Sequence, residues 1–351
     1  MINTVAKLNE YLPLLRTADW IALDTEADSL HAYPERLCLM QFCTAAGDEL
    51  VDPLATLDLE PLFTALSGHR LIMHAADYDL RLLNKHHAFI PGAIFDTMLA
   101  ARLLGVKQFG LGNLVLDFLG IKLEKSSQKA NWAIRPLTER MDRYARDDVR
   151  HLKPLADRLR GDLEANGRLR WHEEWCSRLI KDATQTVAMD EDQVWRIKGS
   201  SLLGRPALAV LREIWQWREA EARTTGKPPF FILSHDVLVD LAAAAVNGAV
   251  VEEKFPRHLS ERRRRGLLHA IKQGLSLPSE RWPHLPVRKG RRPTEAEKRR
   301  CAQLEKRRDL RARELNLDPT LIASRSVLWD LARDWDKASA DLMAWQRELL
   351  A

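Results

Sequence analysis

Up to about residue 165, short apolar runs alternate with segments of helical period; past Gly167 the runs all but vanish and the helical period continues alone. That switch constrains the fold more than any other feature. An alternating stretch buries strands in a sheet with helices over its faces, whereas a helix-only stretch must bury its apolar stripes helix against helix. Asp19-Trp20-Ile21-Ala22-Leu23-Asp24 reads as a first strand and Leu37 to Thr44 as a second. Glu49-Leu50-Val51-Asp52-Pro53 reads as a third, stopped by its proline, and Arg70-Leu71-Ile72-Met73-His74 as a fourth. Helices are expected over Leu57 to Leu66, Asp77 to His87, Asp96 to Leu104 and Leu111 to Leu119. A longer helical pattern starts from an N-cap at Thr138 and runs toward Ala165, with Pro154 placed to kink or interrupt it. The predicted architecture is an α/β domain over 1–165, a mixed sheet flanked by helices, followed by all-α domains.

The helical remainder divides at Leu277 to Pro293, a stretch carrying Pro278, Pro283, Pro286 and Pro293, which separates modules over 200–286 and 293–351. Nine of the eleven tryptophans lie beyond Gly167, mostly at helical spacing as in Ile214-Trp215-Gln216-Trp217-Arg218, and read as core. Thr294 and Glu297 have the spacing of a capping box. Charge is unevenly spread: Lys and Arg against Asp and Glu number 19 to 23 over 1–165, but 20 to 9 over 251–315. The surplus includes Arg262 to Arg265, Arg288, Lys289, Arg291, Arg292, Arg299, Arg300, Arg307 and Arg308. It suits a polyanion held by its phosphates without regard to sequence. The cysteines Cys38, Cys43, Cys176 and Cys301 show no CxxC or pairing pattern, which fits a reducing cytosol and gives no zinc site. No apolar run approaches a membrane span, and Met1 to Lys7 does not resemble a secretory leader, so a cytoplasmic protein without a membrane partner is expected. The absence of GxxxxGK[ST] argues against a nucleotide cofactor.

Three acidic motifs carry the chemistry. Asp24-Thr25-Glu26 ends the first strand, and two carboxylates two residues apart in an extended segment project to one side. Holding both at the edge of a buried sheet is costly unless a cation neutralises them. In His74-Ala75-Ala76-Asp77-Tyr78-Asp79-Leu80 a strand hands over to a helix; Asp77 is the candidate N-cap, and Asp79 lies one turn in, able to point back over the sheet end. His74 reads as a packed or hydrogen-bonded side chain. Tyr144 and Asp148 are four apart on a helix and share a face, while Asp147 turns to solvent. Each motif alone is an ordinary structural pattern. Together, four carboxylates match the charge of two divalent ions, and phosphodiester hydrolysis needs that neutralisation on its attacking and leaving oxygens. Tyr144, with an ordinary pKa of about 10, suits orienting a water better than taking its proton.

In that order and spacing, Asp24-Thr25-Glu26, His74-Ala75-x-x-x-Asp79-Leu80 and Tyr144-x-x-x-Asp148-Val149 resemble the exonuclease motifs of the DEDD family in its tyrosine-bearing branch. The text between them is similar to the ribonuclease D family: Phe95-Asp96-Thr97-Met98-Leu99, Gly110-Leu111-x-x-Leu114, Gly120-Ile121-x-Leu123, and Trp132-x-x-Arg135-Pro136-Leu137. The resemblance implies a ribonuclease H-like exonuclease fold, with Asp24, Glu26, Asp79 and Asp148 as ligands of two divalent ions, Mg²⁺ or Mn²⁺, and Tyr144 positioning the water. It makes Asp96 a structural residue, and leaves Asp28, Asp77 and Asp147 outside the site. Downstream, Leu208-Ala209-Val210-Leu211-Arg212 and Trp217-Arg218-Glu219-x-x-Ala222-Arg223 resemble the helicase-and-ribonuclease-D C-terminal (HRDC) module, which aids nucleic-acid binding, with a weaker second copy over 293–351.

The expected activity is a 3′→5′ exoribonuclease trimming structured RNA such as tRNA precursors to nucleoside monophosphates, acting as a monomer. Lys125, Lys129 and Arg135 are candidates to touch the RNA strand, and Trp132 is a candidate to stack on a base, with a place in the core as its alternative. A chain cut after about Gly199 is expected to bind less well yet keep a competent active site. The same acids serve a DNA exonuclease, since only contacts to the 2′-hydroxyl separate the polymers. A non-catalytic RNA-binding scaffold is the third reading, and five intact site positions weigh against it.

Overall fold

Strands buried on both faces need helices above and below, and the first part of the chain supplies them in sequence order. The computed structural model describes residues 1–124, 127–185, 190, 192–285 and 292–351. Its α/β part runs α1 (Val5–Arg16), β1 (Ile21–Ala27), β2 (Leu37–Thr44), β3 (Gly47–Val51), α2 (Glu60–Leu66), β4 (Arg70–Met73), α3 (Asp77–His87), β5 (Ala93–Asp96) and α4 (Thr97–Leu103). It continues through α5 (Leu111–Leu119), α6 (Glu139–Arg150), α7 (Leu152–Ala165) and α8 (Leu169–Thr184). The sheet order is β3-β2-β1-β4-β5, with β1 antiparallel to β2 and parallel to β4, and β5 parallel to β4.

Alternation along β1 feeds two cores. Ile21 and Leu23 pack with Leu8, Leu12 and Leu15 of α1, Leu62 and Leu66 of α2, and Leu80 and Leu83 of α3. Ala22, between them, faces the other layer, with Ala100 and Leu103 of α4, Leu114 of α5, and Leu155 and Leu159 of α7. Helix α6 covers the β2–β3 end through Met141 and Ala145 against Cys38, Leu39 and Leu50.

Two elements lie outside the sequence expectation. Helix α1 carries its buried residues Leu8, Tyr11, Leu12 and Leu15 at helical spacing and is capped by Thr4. Strand β5 is four residues long and ends at Asp96, which was read as a helix start. The expected long helix is two, α6 and α7, meeting at His151, and Pro154 is no kink: it sits in the first turn of α7, where a missing N–H costs nothing.

The described residues form two compact units. One holds 28–36 and 190–285, with α9 (Arg205–Thr225), α10 (Pro229–Ile232), α11 (His235–Val246) and α12 (Glu261–Ser276) around Trp195, Leu208, Ile214, Leu241 and Ile271. Trp215 and Trp217 pack against this core, as their spacing implies. The other holds 1–27, 37–185 and the helices α13 (Glu295–Glu314), α14 (Pro319–Ile322), α15 (Arg325–Arg333), α16 (Trp335–Ser339) and α17 (Ala344–Leu350). The Thr294–Glu297 capping box is present at α13. The local pattern of α9–α11 recurs in α13–α15. Arg218 donates to the Leu233 carbonyl and Arg308 to that of Ala323, each after a four-residue helix opened by proline and before a serine N-cap.

The last sixty residues therefore belong to the core that backs the sheet. Leu317, Leu321, Leu328 and Trp345 share a cluster with α7, Trp345 stacks on Trp171 with centroids 5.0 Å apart, and Arg168 donates to the carbonyls of Leu103 and Leu315. A cut after Gly199 would strip this cover, so the truncated chain is not the simple binding-deficient enzyme that sequence suggests. The two segments pack tightly at Gly105, whose φ is +79° and whose Cβ, if present, would lie 2.1 Å from the Asn316 carbonyl oxygen. Gly105→Ala is expected to destabilise the protein by about 2 kcal/mol or more and to speed proteolytic release of α13–α17. Unchanged thermal unfolding and protease resistance would show that this contact does not hold the segment.

Candidate active site

Strand β1 outruns its parallel neighbour. It pairs with β4 only at Ile21 and Ala22, because β4 ends at Met73 and turns into α3. On the other side it stays paired with β2, with Asp24 opposite Gln41 and Glu26 opposite Leu39. Asp24 and Glu26 thus share a face on a strand whose second edge has opened, at the carboxyl end of the parallel strands where α/β sheets place their ligands. The crevice is a cavity of about 560 Å³ lined by Asp24, Glu26, Asp79, Tyr144 and Asp148, with His74 and Phe109 on its wall.

Three further devices place the remaining groups. Asp79, in the first turn of α3, accepts a short hydrogen bond from the Thr25 hydroxyl, between the two acids of β1. The turn into α3 is held by Asp96, whose carboxylate accepts from the backbone N–H groups of Ala75, Ala76, Met98 and Leu99. Asp77 has no capping role: Ala76 is the N-cap, Asp77 is the first residue of the helix, and its carboxylate pairs with Arg81. Asp148 and Tyr144 come from α6 and both line the crevice, with Tyr144 close enough to lower the pKa of Asp148. Asp24, Glu26 and Asp148 each bring a carboxylate oxygen within 4.8 Å of the others. Asp79 shares the cavity but stands outside that tight group.

The electrostatics follow from crowding acids where water is scarce. Loss of hydration, then Asp79, Asp148 and Glu26, push Asp24 well above the usual carboxylate range. Loss of hydration and the charges of Asp148 and Asp79 push Glu26 to about 9. Asp148 and Asp79 are each pushed up to about 7, chiefly by burial, with Tyr144 and Thr25 respectively pulling the other way. Burial and the acids around it raise the Tyr144 hydroxyl far out of reach of a base, so it stays protonated. No Lys or Arg lines this cavity among the described residues. Oxygen donors with unbalanced negative charge are what a hard divalent cation binds, so the residues present fit one or more such ions. His74 behaves as read: its Nδ1 lies 2.9 Å from the Thr97 hydroxyl, and burial holds its pKa near 4.

The residues expected to touch RNA fare differently. Trp132 is 1% exposed, packed beside Cys38 and Met141 with its ring centroid 6.0 Å from that of Tyr144. It supports Tyr144 and offers no face to a base. Arg135 bonds both Asp52 oxygens, at 2.6 and 2.7 Å, and the carbonyls of Trp132, Ile134 and Cys38, which occupies its guanidinium fully and leaves nothing for phosphate. Lys129 is exposed, and Lys125 lies outside the described residues. Of the basic stretch, Arg262 and Arg263 pair with Glu221, while Arg300, Arg307 and Arg308 donate to backbone carbonyls. Arg288, Lys289 and Arg291 lie outside the described residues. Asp28 is buried against Arg36, and Asp147 pairs with Arg150, consistent with their exclusion from the site. Thr25 and Phe109 also line the crevice, and neither residue type signals chemistry in a sequence.

This sheet and its acid-lined crevice coincide with a known class. The family described as 3′-5′ exonuclease matches residues 1–164, and that described as HRDC domain matches 207–246. The fold is that of the ribonuclease H-like 3′→5′ exonucleases. Ribonuclease D of Gluconacetobacter diazotrophicus is 31% identical over 356 residues, covering 99% of this chain and 89% of the relative. Ribonuclease D of Desulfotalea psychrophila is 28% identical over 362 residues, covering 100% and 96%. The chain belongs to the ribonuclease D family of 3′→5′ exoribonucleases. The crystal structure of Escherichia coli RNase D, an exoribonuclease involved in structured RNA processing, has the same fold, with a TM-score of 0.75 at 24% identity over 100% of this chain and 96% of that one.

The raised acids make a stability prediction whose sign is fixed. A carboxyl group with a raised folded pKa adds stability that is complete below its unfolded value of about 4 and is lost as pH rises through the folded value. With Asp79 and Asp148 near 7 and Glu26 near 9, the melting temperature in chelator should fall between about pH 5 and pH 9. Asp148→Asn should raise it at pH 8, and Mg²⁺ or Mn²⁺ should stabilise the parent chain more than the variant. A melting temperature insensitive to pH, to the substitution and to divalent ions would contradict this.

Proposed function

We propose that this crevice hydrolyses the 3′-terminal phosphodiester of RNA with two divalent ions, Mg²⁺ or Mn²⁺, held by Asp24, Glu26, Asp79 and Asp148. The observation that carries the reading is the convergence of those acids, with no side-chain cation on the described cavity wall. Such ions, when bound, supply charge neutralisation for the attacking and leaving oxygens of an in-line displacement. The protein's own contribution is placement. The open edge of β1 fixes Asp24 and Glu26, Thr25 holds Asp79 against that strand, and α6 brings Asp148 across. Tyr144, kept protonated, orients a water through its hydroxyl and does not take its proton. Trp132 and Arg135 keep α6 and the loop before it in register with β2.

The family supports RNA as substrate, and the description of the Escherichia coli enzyme supports structured RNA, of which tRNA precursors are the first candidates. We read the division of labour as 1–165 for hydrolysis, 200–286 as an HRDC module for holding RNA, and 293–351 as a second, HRDC-like module. The recurrence of the Arg218 and Arg308 contacts supports that last assignment. Leu123, Glu124 and Gln128 reach the cavity wall, which keeps Lys129 in the reading as a phosphate contact. No helix among the described residues is long and apolar enough to cross a membrane, and we read the protein as a cytoplasmic monomer.

The test is to offer a 3′-extended tRNA and a single-stranded DNA with Mg²⁺ or with chelator, and to compare Asp24→Ala and Asp148→Ala. Nucleoside monophosphates should appear from the RNA with Mg²⁺, and both substitutions should fall to the chelator background. Hydrolysis surviving either one would sink the four-acid reading; faster loss of DNA would overturn the RNA assignment.

A further inference from the structure

The acid chemistry uses one side of the cavity and leaves Phe109 unexplained. This ring is 38% exposed, yet it lines the same crevice as Asp24, Asp79 and Asp148. An exposed phenylalanine gains little from burial, so what holds it there matters. Behind it stands Arg102, whose guanidinium carbon lies 5.4 Å from the Phe109 ring centroid and 5.2 Å from that of Trp175 on α8. The guanidinium therefore bridges two rings, each attracted by its charge, and ties Phe109 to Trp175 of α8. The loop that carries it is fixed at its start by the Gly105–Asn316 approach and by the Val106 N–H donating to Ala101. It is fixed at its end by α5, whose N-cap is Gly110.

A flat ring, pre-positioned beside a hydrolytic cavity, suits one kind of ligand group. Every nucleobase has a π-face, so aromatic stacking seats any base without choosing among them. That is what a nuclease removing successive nucleotides needs from its entrance. We propose that Phe109, braced by Arg102, stacks on a nucleobase within the last three nucleotides of the RNA 3′ end and so positions the scissile phosphodiester over the acids. This rests on the reading of the crevice as the site of hydrolysis. Phe109 is a positioning residue: it holds the substrate and touches no reacting atom.

The experiment uses the full chain with Mg²⁺ and a short RNA with an unpaired 3′ end, intact or carrying one abasic nucleotide at each of the last three positions. The parent enzyme should lose about tenfold in kcat/KM at one of those positions, mainly through KM. Phe109→Ala should show that loss already on intact RNA and no further loss on the abasic RNA, because there is nothing left to unstack. Phe109→Trp should restore the parent pattern. The proposal is overturned if Phe109→Ala keeps the parent's abasic penalty, or if its loss falls on kcat alone and Phe109→Trp does not restore it, as a packing role would require. Should the alanine variant fail to fold, the parent enzyme decides alone: indifference to all three abasic positions overturns the proposal. Asp148→Asn in the same assay keeps the two readings apart. Activity surviving there overturns the four-acid site, whereas a parent enzyme that is metal-dependent but blind to abasic nucleotides overturns only the role of Phe109.

Discussion

Four carboxyl groups converging on one crevice, with no side-chain cation among the described residues that line it, are the constraint around which this structure is arranged. Left to themselves they would spread apart or take up protons, and burial together with their mutual repulsion raises their pKa values. What keeps them together is a scaffold that cannot relax. The acids of β1 are fixed by the ladder to β2, Asp79 by the first turn of α3, and Asp148 by a helix packed across β2 and β3. Stability is traded locally for a charge arrangement that a divalent cation would satisfy.

The supporting shell is more extensive than the acids. Asp96 accepts four backbone N–H groups and so fixes the turn from β4 into α3 together with the start of α4. Arg135 ties the loop before α6 to Asp52 and to the carbonyl of Cys38. Arg168 joins the end of α4 to the C-terminal helices, and the Gly105–Asn316 approach does the same in the residues that immediately follow. Through these links the last helices of the chain buttress the wall of the crevice that carries Phe109.

Most of the sheet was legible in the sequence because period two and buried apolar runs are local properties. β2 and α3 fall on the predicted residues, and the acidic motifs fall where strands give way to helices. β5 was not legible: four residues ending in Asp96 carry no period, and they become a strand only because β4 offers an edge. Residue type misled at Arg135, which looks like an RNA contact until packing shows its guanidinium saturated, and left Trp132 open between a base platform and the core until packing shows its ring buried. Asp77 misled in the same way, since α3 starts from Ala76 with no side-chain cap and the turn into it is held by Asp96, distant in sequence. The seating of 292–351 beside the sheet is likewise a long-range outcome that no local signal announces.

The central claim is that Asp24, Glu26, Asp79 and Asp148 together hold two divalent ions. Its most direct measurement is the anomalous scattering of crystals of this protein equilibrated with Mn²⁺. Two manganese peaks within coordination distance of these four carboxylates are expected, and both should be lost in Asp148→Ala crystals treated alike. Ordered carboxylates with no manganese between them, or manganese bound only elsewhere on the molecule, would contradict it.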